Sequence, residues 1–279
     1  MGSLFGNTAP LLPDERVTTV EPLTSDCKKI VYVTTEKFFW TSTTDECTSC
    51  KILGSFPNGI SCCAPRPAAF PDVTANSFYV CSGKNLSLYS FNASEFERKN
   101  LRHFRSTLIS SVAGVGTGSG QSSVVVTGMR NGTIQLSAEV GKSWPPFDVK
   151  KRHSDVVTAI YPTARDFNFV SVSERGSAKL WDIRFFSESS VFDIVDSTTH
   201  SQRCATASTE GILAHCSQER GISFYSTVTG EKLHSVESAC KRQICTTTNA
   251  VLKNTACSSE LLLLSRDFTD HYIMQKYEP

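Results

Sequence analysis

Short runs rich in Val, Ile, Tyr, Phe and Thr alternate with Gly, Asn, Asp and Ser turns along this 279-residue chain. One strand–turn–strand unit recurs at a spacing of 44 residues, as between Gly132 and Gly176. No long window carries the three-and-four spacing of an amphipathic helix. These observations predict an all-β protein of the β-propeller class, a single domain of six or seven blades. Strands this dense must close on themselves or protect their edges, which leaves a barrel, a sandwich or a propeller. The repeat decides among the three.

The clearest copy of the unit is residues 169–182, ending in Trp181-Asp182. Residues 125–136 and 213–225 align with it, 78–89 form a fourth copy, and 261–273 a degraded fifth. Each copy is a strand, a tight polar turn and a second strand ending in an aromatic residue or its replacement. A period of about 40–45 residues with four strands per unit is the mark of a propeller blade. Units open near Cys27, Asn58, Ser106, His153, Ser197 and Ala239. The propeller is therefore expected over 27–279, with 1–26 as an N-terminal extension or a closing strand. Pro10, Pro13 and Pro22 argue against regular structure in that first segment. The unbroken apolar runs Val124-Val125-Val126 and Leu261 to Leu264 fit central strands covered on both faces, which need not alternate.

The formal net charge of +1 supplies no long-range field to attract nucleic acid or an anionic membrane, so neither partner is expected. No apolar run approaches the ~20 residues that span a bilayer. The start of the chain lacks the basic and apolar regions of a secretory signal, so an intracellular protein of the nucleus and/or cytoplasm is expected. Eleven scattered cysteines, an odd number, then read as reduced thiols. Cys47 and Cys50 with Cys62 and Cys63 have a superficial zinc-site look. Adjacent residues on a strand face opposite ways, however, and no second spaced pair follows. These cysteines read as packing residues, with no metal and no cofactor expected. The six histidines form no metal-spaced pair, and no Gly-x-Ser-x-Gly elbow holds a nucleophile. No catalytic residue is expected, and the chain does not read as an enzyme.

The fourth unit carries the motif of greatest interest. It opens with Arg152-His153-Ser154-Asp155 and closes with Trp181-Asp182-Ile183-Arg184. It resembles a WD repeat, and the resemblance implies that His153, Ser171 and Trp181 are structural residues joined by hydrogen bonds. Arg175 stands where that pattern wants a turn Asp, with Glu174 beside it, so the tie is expected to be incomplete. Trp181 is expected to fill the gap between adjacent blades. The ending Trp181-Asp182-x-Arg184 also resembles the motif by which the family of damaged-DNA-binding- and cullin-4-associated factors docks on its ligase adaptor. Segments 128–134, 153–157, 179–184 and 210–214 extend that resemblance over residues 124–238. Val172 replaces a small residue usual there, and no amphipathic helical pair precedes the propeller. The resemblance implies a non-catalytic substrate receptor of a cullin-4 RING ubiquitin ligase. Asp182 and Arg184 would bind the adaptor, the large damaged-DNA-binding protein, and the substrate would be a further protein of unknown identity. The alternative is a WD-repeat interaction scaffold unrelated to ubiquitin.

Overall fold

The computed structural model describes residues 17–22, 29–34, 37–43, 48–55, 60–65, 77–91, 96–104, 107–117, 123–138, 146–163, 165–186, 192–195, 205–209, 211–217, 221–236, 246–254, 259–266 and 272–277, with side-chain environments chiefly between 60 and 236. The described segments form β-strands and turns in six antiparallel sheets, each made of consecutive strands. The first holds β1 (Val17–Pro22), β2 (Lys29–Thr34), β3 (Lys37–Thr43) and β4 (Thr48–Ser55). The second holds β5 (Cys62–Pro65), β6 (Ser77–Ser82), β7 (Asn85–Phe91) and β8 (Phe96–His103). The third holds β9 (Ile109–Gly116), β10 (Ser123–Met129), β11 (Thr133–Ala138) and β12 (Pro146–Lys151). The fourth holds β13 (Val157–Pro162), β14 (Asn168–Ser173), β15 (Ala178–Asp182) and β16 (Phe192–Val195). The fifth holds β17 (Ala205–Thr209), β18 (Ile212–Ser217), β19 (Gly221–Ser226) and β20 (Lys232–Val236). The sixth holds β21 (Thr246–Asn254), β22 (Ser259–Arg266) and β23 (Tyr272–Tyr277).

The five aligned copies read from the sequence are the hairpins β6–β7, β10–β11, β14–β15, β18–β19 and β22–β23. β1 pairs with β2, with Pro22 at its end. An edge strand tolerates proline because one row of its N–H groups has no ladder partner to lose. Pro10 and Pro13 lie outside the described residues.

The chain divides into two compact units, 1–129 with 136–147 and 130–135 with 148–279. In the first, Tyr79, Cys81, Leu86 and Leu88 of the second sheet pack against Ile109, Val112, Val125 and Met129. In the second, Val170, Val172, Ala178 and Leu180 of the fourth sheet pack against Leu213 of the fifth, with Tyr225 at the margin. Inner strands are buried on both faces: after Asn168, every residue of β14 is buried, as are Val124, Val125 and Val126 on β10. Two-sided burial explains the unbroken run Val124-Val125-Val126; the side chains of Leu261 to Leu264 lie outside the described residues.

Cys62 lies opposite Cys81 in the β5–β6 ladder and packs against the first core cluster. Burial pushes the Cys81 thiol well above its ordinary range, and its hydrogen bond with Cys62, which favours the protonated form, adds to the shift. Cys47 lies outside the described residues, and Cys50 lies on β4.

Neighbouring sheets are also joined through the turn between their second and third strands. The carbonyl of Gly83, at the β6–β7 turn, accepts from the Ile109 amide at 3.0 Å. That of Gly132, at the β10–β11 turn, accepts from the Arg152 and His153 amides at 3.0 and 3.1 Å. That of Gly176, at the β14–β15 turn, accepts from the His215 ring at 3.1 Å. All three glycines have positive φ, a backbone conformation that costs a residue with a Cβ about 1–2 kcal/mol.

Candidate functional site

The site is built on the fourth sheet. Three residues singled out from the sequence meet inside it. His153 enters ahead of β13, Ser171 lies on β14 and Trp181 near the end of β15. Trp181 donates its indole N–H to Ser171 Oγ at 2.7 Å, and His153 Nε2 lies 2.7 Å from the same oxygen. An indole nitrogen can only donate, so Ser171 accepts from Trp181 and keeps its own proton and second lone pair for the bond with His153. Burial, with help from the nearby Lys179 charge, lowers the His153 pKa to about 4 and keeps the ring neutral.

The fourth member of such a tie is replaced by a different contact. Asp155 Oδ2 accepts the Arg175 amide at 3.0 Å, and the Glu174 amide donates to the Val156 carbonyl at 2.8 Å. The β14–β15 turn is therefore fastened to the strand entry by the Asp155 carboxylate and the Val156 carbonyl, each accepting from a turn amide. Asp155 Oδ1 is buried without a hydrogen-bond partner.

Trp181 is 2% exposed. Its ring stacks near Phe169 at 6.4 Å and meets Phe186 edge-on at 5.3 Å. The Arg152 guanidinium covers the group, 5.1 Å from the Trp181 centroid and 4.6 Å from that of Phe186, and donates to the Phe186 carbonyl. These contacts come from the fourth sheet and the segments flanking it. They fill the base of one blade.

Past this base the chain turns outward. The Asp182 side chain is mostly buried, and its carboxylate is taken up by Arg184. Oδ1 accepts from the Arg184 amide and from Nε, both at 2.9 Å, while Oδ2 accepts from Nη2 at 2.5 Å. The guanidinium hydrogen bonds hold the Asp182 carboxyl below the usual carboxylate range, and the carboxylate in turn raises the pKa of Arg184. The Arg184 side chain is 56% exposed. Its guanidinium lies 4.8 Å from the Phe167 ring and 5.7 Å from that of Phe185.

Arg152, Phe167 and Phe185 had not been singled out from the sequence. The Phe185-Phe186 pair after the motif was a visible signal. The positive φ of Phe167 left none, because Phe is not a residue that announces that conformation.

No protein-family model and no curated protein matches the chain. Among solved structures, the Cps50 (Swd1) β-propeller domain of Myceliophteria thermophila superposes with a TM-score of 0.65. The match covers 94% of this chain and 83% of that one at 10% sequence identity. The fold is a β-propeller. At that identity the likeness extends to the fold alone, since propellers host many unrelated functions.

Proposed function

We propose that this propeller is a non-catalytic substrate receptor of a cullin-4 RING ubiquitin ligase. It docks on the ligase's damaged-DNA-binding adaptor through Arg184 and presents a target protein, in the nucleus and/or cytoplasm. The observation that carries the reading is the posture of Arg184. Its guanidinium stands outside β15, more than half exposed, with Nε and one Nη2 hydrogen fixed on Asp182. An arginine held in this way gives up little side-chain freedom on binding. The remaining Nη1 and Nη2 hydrogens form an outward pair suited to a carboxylate or two carbonyls, which a lysine would not match. Asp182 acts through Arg184 as a positioning residue.

The test is Arg184→Ala, read by affinity for purified adaptor and by thermal melting. Affinity should fall at least ~30-fold, the scale of an interface hot spot, while melting stays near the parent's. Full retention of adaptor binding would remove Arg184 from the interface. A parent chain that captures no adaptor would make the protein an interaction scaffold unrelated to ubiquitin.

A further inference from the structure

We infer that Phe167 and Phe185 belong to the docking surface, as an aromatic clamp on Arg184 that enters an apolar cleft of the adaptor bearing a carboxylate on its wall. This rests on the docking reading above and assigns two residues that the Trp181-Asp182-x-Arg184 motif does not contain. Phe185 and Phe186 are chain neighbours with opposite fates. Phe186 is 1% exposed in the aromatic base beneath Trp181, whereas Phe185 is 57% exposed beside Arg184. An exposed aromatic next to a fixed guanidinium has the composition of an interface anchor.

Phe167 supplies the second, independent observation. It precedes β14 at a φ of 69°, the left-handed region that Gly or Asn enters readily and a bulky aromatic residue enters at a cost. Its carbonyl accepts the Ile183 amide at 2.8 Å, a bond that any residue's backbone could make. The turn therefore needs the conformation but not the ring. What the ring does is lie against the Arg184 guanidinium at 4.8 Å. Strain is retained at the position that fixes the aromatic face.

The chemistry of the occupant follows. Asp182 already balances the charge of Arg184, so the surface does not call for a strongly anionic partner such as a nucleic acid or a lipid headgroup. It offers the exposed Phe185 ring and the half-buried Phe167 ring around one outward pair of N–H donors. The matching surface is an apolar cleft with a single carboxylate, as a folded protein presents it.

The experiment measures affinity of the full chain for purified adaptor, with melting temperature alongside, for the parent, Arg184→Ala, Phe185→Ser, Phe185→Tyr and Phe167→Asn. The expected result is at least a 10-fold loss for Phe185→Ser and Phe167→Asn, with binding kept by Phe185→Tyr. Phe185→Ser should melt like the parent, and Phe167→Asn at the same temperature or higher, because Asn relieves the left-handed strain. If Arg184→Ala loses binding while both phenylalanine variants bind like the parent, the clamp is overturned and the arginine reading stands. If affinity and melting fall together, the rings are structural and the clamp is likewise overturned. If the parent does not bind, both readings fall.

Discussion

His153 shows how a residue inside a blade couples stability to pH. An unfolded chain's histidine titrates near 6.5, whereas His153 in the fold titrates at about 4. The unfolded state therefore binds the proton first as pH falls. The stability due to the neutral ring is complete above pH 6.5 and is lost through the window from 6.5 to 4, by about 3 kcal/mol in all. Urea unfolding at pH 7.5 and pH 5 should show about 2 kcal/mol of this loss in the parent and less in His153→Gln; equal losses would show that His153 is not the group. Trp181 sets the second expectation at this scale. It fills the space against Phe169 and Phe186 and donates to Ser171. Trp181→Ala should cost about 3–5 kcal/mol, as for other buried aromatic side chains cut to Ala. A variant melting with the parent would contradict this placement.

At the scale of the element, the turns carry what the strands cannot. The alternation of apolar runs and turn residues was enough to locate the hairpins, because buried strands and tight turns draw on different residue types. It did not say which turns reach the next sheet. Gly132 does so, and a Cβ built there would come 2.1 Å from the His153 carbonyl oxygen and 2.9 Å from that of Asp155. Both obstacles are backbone, and φ is +82° as well. Gly132→Ala should therefore cost more than the ~1 kcal/mol of a left-handed alanine alone, about 3 kcal/mol or more. Gly211, at a φ of +84°, meets nothing within 4 Å of an added Cβ. Gly211→Ala should show only the conformational part. Denaturant midpoints of the two variants measure the difference, and equal costs would rule out the close approach.

Within each compact unit, described sheets press apolar faces on their neighbours, as Leu213 does on the fourth sheet. The described cysteines fit this mode of assembly as apolar filler. Cys81 is fully buried and Cys62 lies partly buried beside it, both as thiols. With an odd total of eleven, the protein prepared without oxidant and then denatured should titrate close to eleven reactive thiols. Bound zinc or several disulfides would overturn that count. Burial also protects Cys81 in the fold, so its alkylation should follow global unfolding.

The sequence by itself determined the β-propeller class, the hairpins and the blade containing His153, Ser171 and Trp181. Period and residue type are local properties, and a repeat states them several times over. Only the tertiary structure decided what surrounds Arg184. Asp182 looked like a surface contact in the sequence, yet it is mostly buried and orients its neighbour two residues on. Phe167 and Arg184 are 17 residues apart along the chain and meet only because β14 and β15 pair in register, with Asn168 opposite Asp182. Register places one hairpin end against the other, and a left-handed backbone then turns Phe167 toward the guanidinium. Neither is written in residue type, because both depend on which strand faces which and at what offset.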